Sequence, residues 1–171
     1  LFEVARRREL KKGELFLKQG QICNSILFVE KGLLRTYIDK DGSDINTHFT
    51  FEGDFTTHLR SLRTAQPSDT NIEALQPTHI LEFDKNELLA LYAVSAEIES
   101  FGRKLVEQLL MQQEEHANLF KLYSPLERYH YVQLHQPELL QRVSLSLLAS
   151  YLGMARETLS RIRKKSVRDT L

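Results

Sequence analysis

The stretch Val143-Ser144-Leu145-Ser146-Leu147-Leu148-Ala149-Ser150-Tyr151-Leu152-Gly153-Met154-Ala155-Arg156-Glu157-Thr158-Leu159-Ser160-Arg161-Ile162 decides how the chain is read. It meets the demands of two crossed helices joined by a sharp turn. Leu148 and Leu152, one turn apart, give the first helix its apolar face. Ala149 supplies the small residue where the helices approach, and Gly153 the freedom to take positive φ in the turn. Met154 plugs the turn, while Leu159 and Ile162 face the second helix inward. The outward face of that helix then carries Arg156, Glu157, Ser160, Arg161 and Lys164. Arginine can donate a bidentate pair to guanine and glutamate can accept from cytosine, so the face suits the edges of base pairs. Arg163, Lys165 and Arg168 flank it where phosphates would pass. A merely solvated helix could present the same charges, but the filled helix-turn-helix pattern favours duplex DNA. Ala155 stands where Ser or Thr would cap the second helix, a loss of about 1 kcal/mol.

Toward the N-terminus, His135-Gln136-Pro137 breaks a short helix over Leu126–Leu134, and Ser124-Pro125 separates it from a longer one. That longer segment, about Ser95 to Leu122, contains no proline and only Gly102. Ile98, Phe101, Leu105, Leu109 and then Leu119 form its stripe. Val106, Leu110, Ala117 and Phe120 widen it, and Gln112, Gln113 and His116 interrupt it. At 1.5 Å per residue it runs about 40 Å, too long to bury its stripe on a domain of about ninety residues. We read it as both a spine between domains and a dimer seam. Before it, Asp84 is placed to cap a helix over Asn86–Tyr92.

Residues 10 to 84 change period. Strands are expected at Glu14–Lys18, Ile26–Glu30, Leu33–Ile38, Ile45–Phe51 and His79–Phe83. Gly20, Gly32, Gly42 and Gly53 punctuate them at intervals of 12, 10 and 11 residues. Asp39-Lys40-Asp41-Gly42 reads as a hairpin turn. Tyr37, Ile45, Phe49 and Phe51 are expected to supply part of a sandwich, barrel or jelly-roll core.

The 171 residues, 42% hydrophobic and 27% charged, suit a folded globular chain. No apolar run is long enough to span a membrane, and Leu1-Phe2-Glu3-Val4-Ala5-Arg6-Arg7-Arg8 lacks the order of a secretory signal. With Cys23 alone, the cytoplasm is the expected compartment, and a four-cysteine zinc site or iron–sulfur cluster is excluded. The net charge of zero hides an asymmetry: Ser124–Leu171 carries eight basic and four acidic residues, a net of +4, leaving −4 for Leu1–Tyr123. A cationic end on an acidic body points to an anionic partner for that end.

A glycine-punctuated β-roll with Gly53-Asp54-Phe55, a long helix and a recognition helix reading Arg156-Glu157-Thr158-Leu159-Ser160-Arg161 resembles the Crp/Fnr family of bacterial transcription regulators. The resemblance implies an α+β protein: an antiparallel, jelly-roll-like sensor domain over 1–94, a dimerisation helix over 95–123 and a helix-turn-helix domain over 124–171. It implies a homodimer whose two recognition helices enter successive major grooves of a roughly palindromic site, half-sites about 34 Å apart. Arg156, Glu157 and Arg161 would be the base readers and Lys164 a backbone contact. Duplex DNA, a second copy of the chain, RNA polymerase and a small-molecule effector of unknown identity are the implied partners, with no membrane and no cofactor. The family also follows its recognition helix with a β-hairpin wing, for which the residues up to Leu171 leave no room. Either the subgroup dispenses with the wing or the chain is cut short.

Members that bind cyclic AMP grip its ribose with Gly-Glu-Leu and neutralise its phosphate with Arg-Ser. Here Thr57-His58-Leu59 and Ser68-Asp69 stand at those places. An aspartate would repel the phosphate, so a cyclic nucleotide is not expected unless Arg60 or Arg63 substitutes. Cys23 reads as a packing thiol. Two rival functions remain open at this level: a sensory or scaffolding dimer that never touches DNA, and a jelly-roll metalloenzyme. His48, His58 and His79 fall in the β half, but no His-x-His pair occurs, and no P-loop or dinucleotide fingerprint is present.

Overall fold

The computed structural model describes residues 4–168. Eight strands come first: β1 (Arg6–Leu10), β2 (Leu15–Leu17), β3 (Ser25–Lys31), β4 (Leu34–Lys40), β5 (Ser43–Thr50), β6 (Phe55–Thr56), β7 (Asn71–Ala74) and β8 (Thr78–Asp84). A short helix, α1 (Leu59–Thr64), lies between β6 and β7. Then follow α2 (Lys85–Val94), α3 (Ala96–Leu122), α4 (Pro125–His135), α5 (Pro137–Arg142), α6 (Leu145–Tyr151) and α7 (Arg156–Arg168). The chain divides into two compact units, Leu1–Gln108 and Leu109–Leu171, with the division inside α3. The mixed α+β architecture is the one anticipated.

In the first unit the strands form two antiparallel four-stranded sheets, ordered β1-β8-β3-β6 and β2-β7-β4-β5. Leu10, Leu27, Val29 and Ile80 of one sheet meet Leu17, Leu34, Ile72 and Ala74 of the other, with Cys23 among them. Asp41 and Gly42 both take positive φ, 54° and 79°, giving the two-residue turn whose twist suits a hairpin. Gly32 is needed for two reasons: its φ is +114°, and a Cβ there would meet the Thr78 backbone at 2.7 Å.

The predicted core needs one correction. Phe49 is buried, but Tyr37 and Phe51 are half-buried and Ile45 is 42% exposed. Along β4 and β5, Thr36 pairs with His48 and Tyr37 with Asn46, so Thr47 is an extra residue. This bulge reverses the alternation: Asn46 turns in and Ile45 turns out. Asn46 accepts from Arg35 at 3.4 Å. Arg35 also reaches Glu73 at 2.6 Å and Asp44 at 2.8 Å, and lies 3.9 Å over the Tyr37 ring. Burial alone would lower the Arg35 pKa; the two carboxylates outweigh it and raise it.

Three strands and two helices were absent from the sequence reading. β1 is exposed except at Leu10 and so shows no alternation; its Arg6, Arg7 and Arg8 pair with Glu87, Glu30 and Glu82. β6 has two residues, and β7 alternates only as Asn-Ile-Glu-Ala. α1 and α5 have six residues each. The expected cap is present, Asp84 accepting from Asn86 and Glu87 at the start of α2; Ser124 and Glu127 add a reciprocal capping box on α4 that the sequence reading did not include.

Candidate functional site

Two regions carry the residues singled out for function. In the second unit, Leu148, Ala149, Tyr151, Leu152 and Leu159 are buried where α6 and α7 cross. Gly153 takes φ +62°, and the Met154 amide donates to the Ala149 carbonyl at 3.0 Å. The turn residues thus stand as the spacing required. Met154 and Ile162 are half-buried, and Tyr151 joins the core unanticipated.

Because Leu159 is fully buried, the opposite face of α7 is turned to solvent. Arg156, Glu157, Arg161, Arg163, Lys164 and Lys165 are exposed and Ser160 is half-buried. Among the described residues no ion pair involves any of these charges; Arg161 donates only to Thr158, at 3.4 Å. Side-chain detail of Arg168, and any structure beyond it where a wing would fall, lies outside the described residues.

The second region is the segment at the place of a nucleotide pocket. Thr57 donates to the Ser25 carbonyl at 2.9 Å. His58 caps α1: its Nδ1 accepts from the Ser61 amide at 3.1 Å, which leaves Nε2 to donate to Asp69 at 2.6 Å. Buried Ser68 accepts from the Thr70 amide and donates to the Thr70 carbonyl. Leu59 is half-buried, while Arg60 and Arg63 are exposed on α1. Buried Cys23 bonds the Ser25 carbonyl through its thiol. Among the described residues no group of three or more His, Cys, Asp or Glu is arranged to hold a metal ion.

The α3 stripe divides. Leu105 is buried and Phe101 meets Phe55 edge-on at 5.7 Å, both lining a small apolar void with Ile26, Phe83, Leu88 and Tyr92. Ile98 and Leu109 are half-buried. Val106, Leu110 and Met111 are exposed, and so is Phe120.

A cyclic nucleotide-binding domain model matches residues 7–95, which takes in all of α2 and all eight strands except the first residue of β1. The chain belongs to that family. The anaerobic regulatory protein of Haemophilus influenzae is 25% identical over 170 residues; the match covers 93% of this chain and 66% of that protein, so the chain falls short of two thirds of its relative's length. FixK2 from Bradyrhizobium japonicum shares the fold with a TM-score of 0.82 at 20% identity, over 98% of this chain and 86% of its own. A protein from Eubacterium rectale described as a Crp/Fnr-family transcriptional regulator superposes with a TM-score of 0.71 at 20% identity, over 97% and 80% of the two chains. No described helix of the chain is long and apolar enough to cross a membrane.

Proposed function

We propose that the chain is a DNA-binding transcription regulator acting as a homodimer on a roughly palindromic site. The observation that carries this reading is α7: a helix held by buried Leu159, presenting Arg156, Glu157 and Arg161 outward with no internal ion pair among the described residues. Arg163, Lys164 and Lys165 would meet phosphates. The dimer seam runs along α3, where Ile98 and Leu109 are joined by exposed Val106 and Leu110; Phe101 and Leu105 are in contact with their own unit. RNA polymerase and an effector follow from the family reading.

The effector is not a cyclic nucleotide in this proposal. The Asp69 carboxylate would face the cyclic phosphate, and His58 is engaged both as a cap and as the donor to that carboxylate. The test is selection of bound sites from random duplex DNA with the purified chain. An inverted repeat is expected; recovery without sequence preference would overturn the reading.

A further inference from the structure

Within the second unit, three contacts converge on the turn before α7. Arg128, on α4, donates from Nε to the Tyr123 carbonyl at 3.1 Å and from Nη1 to the Leu152 carbonyl at 2.8 Å. Tyr123 follows the end of α3 and Leu152 caps α6, so one guanidinium satisfies carbonyls at the C-terminal ends of two helices, where a cation is favoured. The same guanidinium lies 4.8 Å over the ring of Phe120, near the end of α3. That ring in turn occupies the space above Gly153: a Cβ there would meet Phe120 at 2.5 Å and Arg128 at 3.3 Å. One turn earlier on α3, His116 stacks on Tyr151 of α6 at 4.7 Å and meets Phe120 edge-on at 5.1 Å.

We propose that Arg128 and Phe120 form a clasp that fixes the start of the recognition helix relative to the end of α3, and so determines which spacing of half-sites the dimer accepts. The planar fork is what makes the clasp specific: it reaches the two carbonyls from two separate nitrogens while covering a ring, a spread that the single nitrogen of a lysine cannot reproduce. With the Gly153 turn held against Phe120, an axial turn of α3 in this unit carries the start of α7 with it. Without the clasp, α7 keeps its base-reading face but loses its set on α3. Arg128 and Phe120 are therefore positioning residues, distinct from the groups that touch DNA. The inference rests on the reading of α7 as a groove helix in a paired molecule.

The experiment measures affinity for synthetic inverted repeats built from the selected half-site. Their centre-to-centre distance is varied one base pair at a time around one helical turn. One step rotates a half-site by about 35°, so the unaltered chain is expected to lose about tenfold or more in affinity away from its best spacing. Arg128→Lys and Phe120→Leu, each shown to be folded by its melting curve, are expected to bind the best site within about threefold. They should separate adjacent spacings by no more than about twofold. A merely structural weakening would lower affinity at all spacings and leave the ratio unmoved. If either folded variant keeps the ratio of the unaltered chain, the clasp is wrong while the DNA reading stands. If the unaltered chain itself shows no preferred spacing, the DNA reading fails and the clasp with it.

Discussion

Residues 57–69 and helix α7 are both rich in polar and charged side chains, yet they are used in opposite ways. In the first segment His58 holds Asp69, Thr57 holds the Ser25 carbonyl and Ser68 holds Thr70. In α7 the charges of Arg156, Glu157, Arg163, Lys164 and Lys165 face solvent with no ion pair among the described residues. A polar group whose partners lie in its own chain stabilises the fold, whereas one turned outward without a partner can be satisfied by a ligand. The difference separates a closed segment from an open surface more sharply than composition does.

The comparison can be broken most forcefully from inside. Leu152→Ala removes a fully buried side chain beneath the turn and should cost about 2–5 kcal/mol of the second unit's stability. Hydrogen exchange resolved by residue should show protection lost in α4–α7 while the sheets keep theirs. Gly32→Ala is the counterpart in the first unit. It forces an L-residue to φ +114° against the Thr78 backbone and should cost about 1–3 kcal/mol, read as a lower denaturation midpoint of the β-roll.

Next in size is the open surface itself. Arg156→Ala or Arg161→Ala should weaken binding to the selected site by about 1–3 kcal/mol and relax base preference at one position, measured by titration against single-base variants. Lys164→Ala should weaken all sequences alike and make the salt dependence shallower. Titration calorimetry with cyclic AMP should show no heat of binding at millimolar ligand; saturable binding would mean that the His58–Asp69 pair opens.

The smallest effect concerns His116. Burial lowers its pKa, partly opposed by a hydrogen bond that the ring donates to the Tyr151 backbone carbonyl, while burial pushes the Tyr151 phenol up to about 12. The charged groups near this stack are the Arg128 guanidinium over Phe120 and the Glu115 carboxylate, which acts on Tyr151. A histidine whose folded pKa lies below its unfolded value of about 6.5 favours the folded state in its neutral form. That contribution is present above the unfolded value and is lost as pH falls toward the folded one. Melting of the second unit should therefore decline below pH about 6.5, and His116→Phe should flatten the decline.

The sequence made the helix-turn-helix legible because each position there obeys a local rule: Gly153 for a positive φ, Leu148, Leu152 and Leu159 for burial. The hairpin at Asp41-Gly42 and the helix over Ala96–Leu122 were legible for the same reason. What escaped depends on pairing across long separations. β1 exists because β8 lies beside it, and β7 because Glu73 meets Arg35, 38 residues away. Ile45 was misplaced because one inserted residue, Thr47, reverses the alternation, and nothing in the local pattern marks it. Within the candidate site the exposed face of α7 followed from its period. The His58–Asp69 contact did not, since the chain between them, α1 included, had to turn back before two residues eleven positions apart could meet.

The arginines of β1 have a consequence for life at high concentration. A strand at the margin of a sheet is an open template on which another chain could add its own strand. Here that margin carries Arg6, Arg7 and Arg8, exposed but tethered to glutamates of their own chain. Two such borders brought side by side would repel and would have to surrender those tethers. Fibril growth through this border is thereby discouraged.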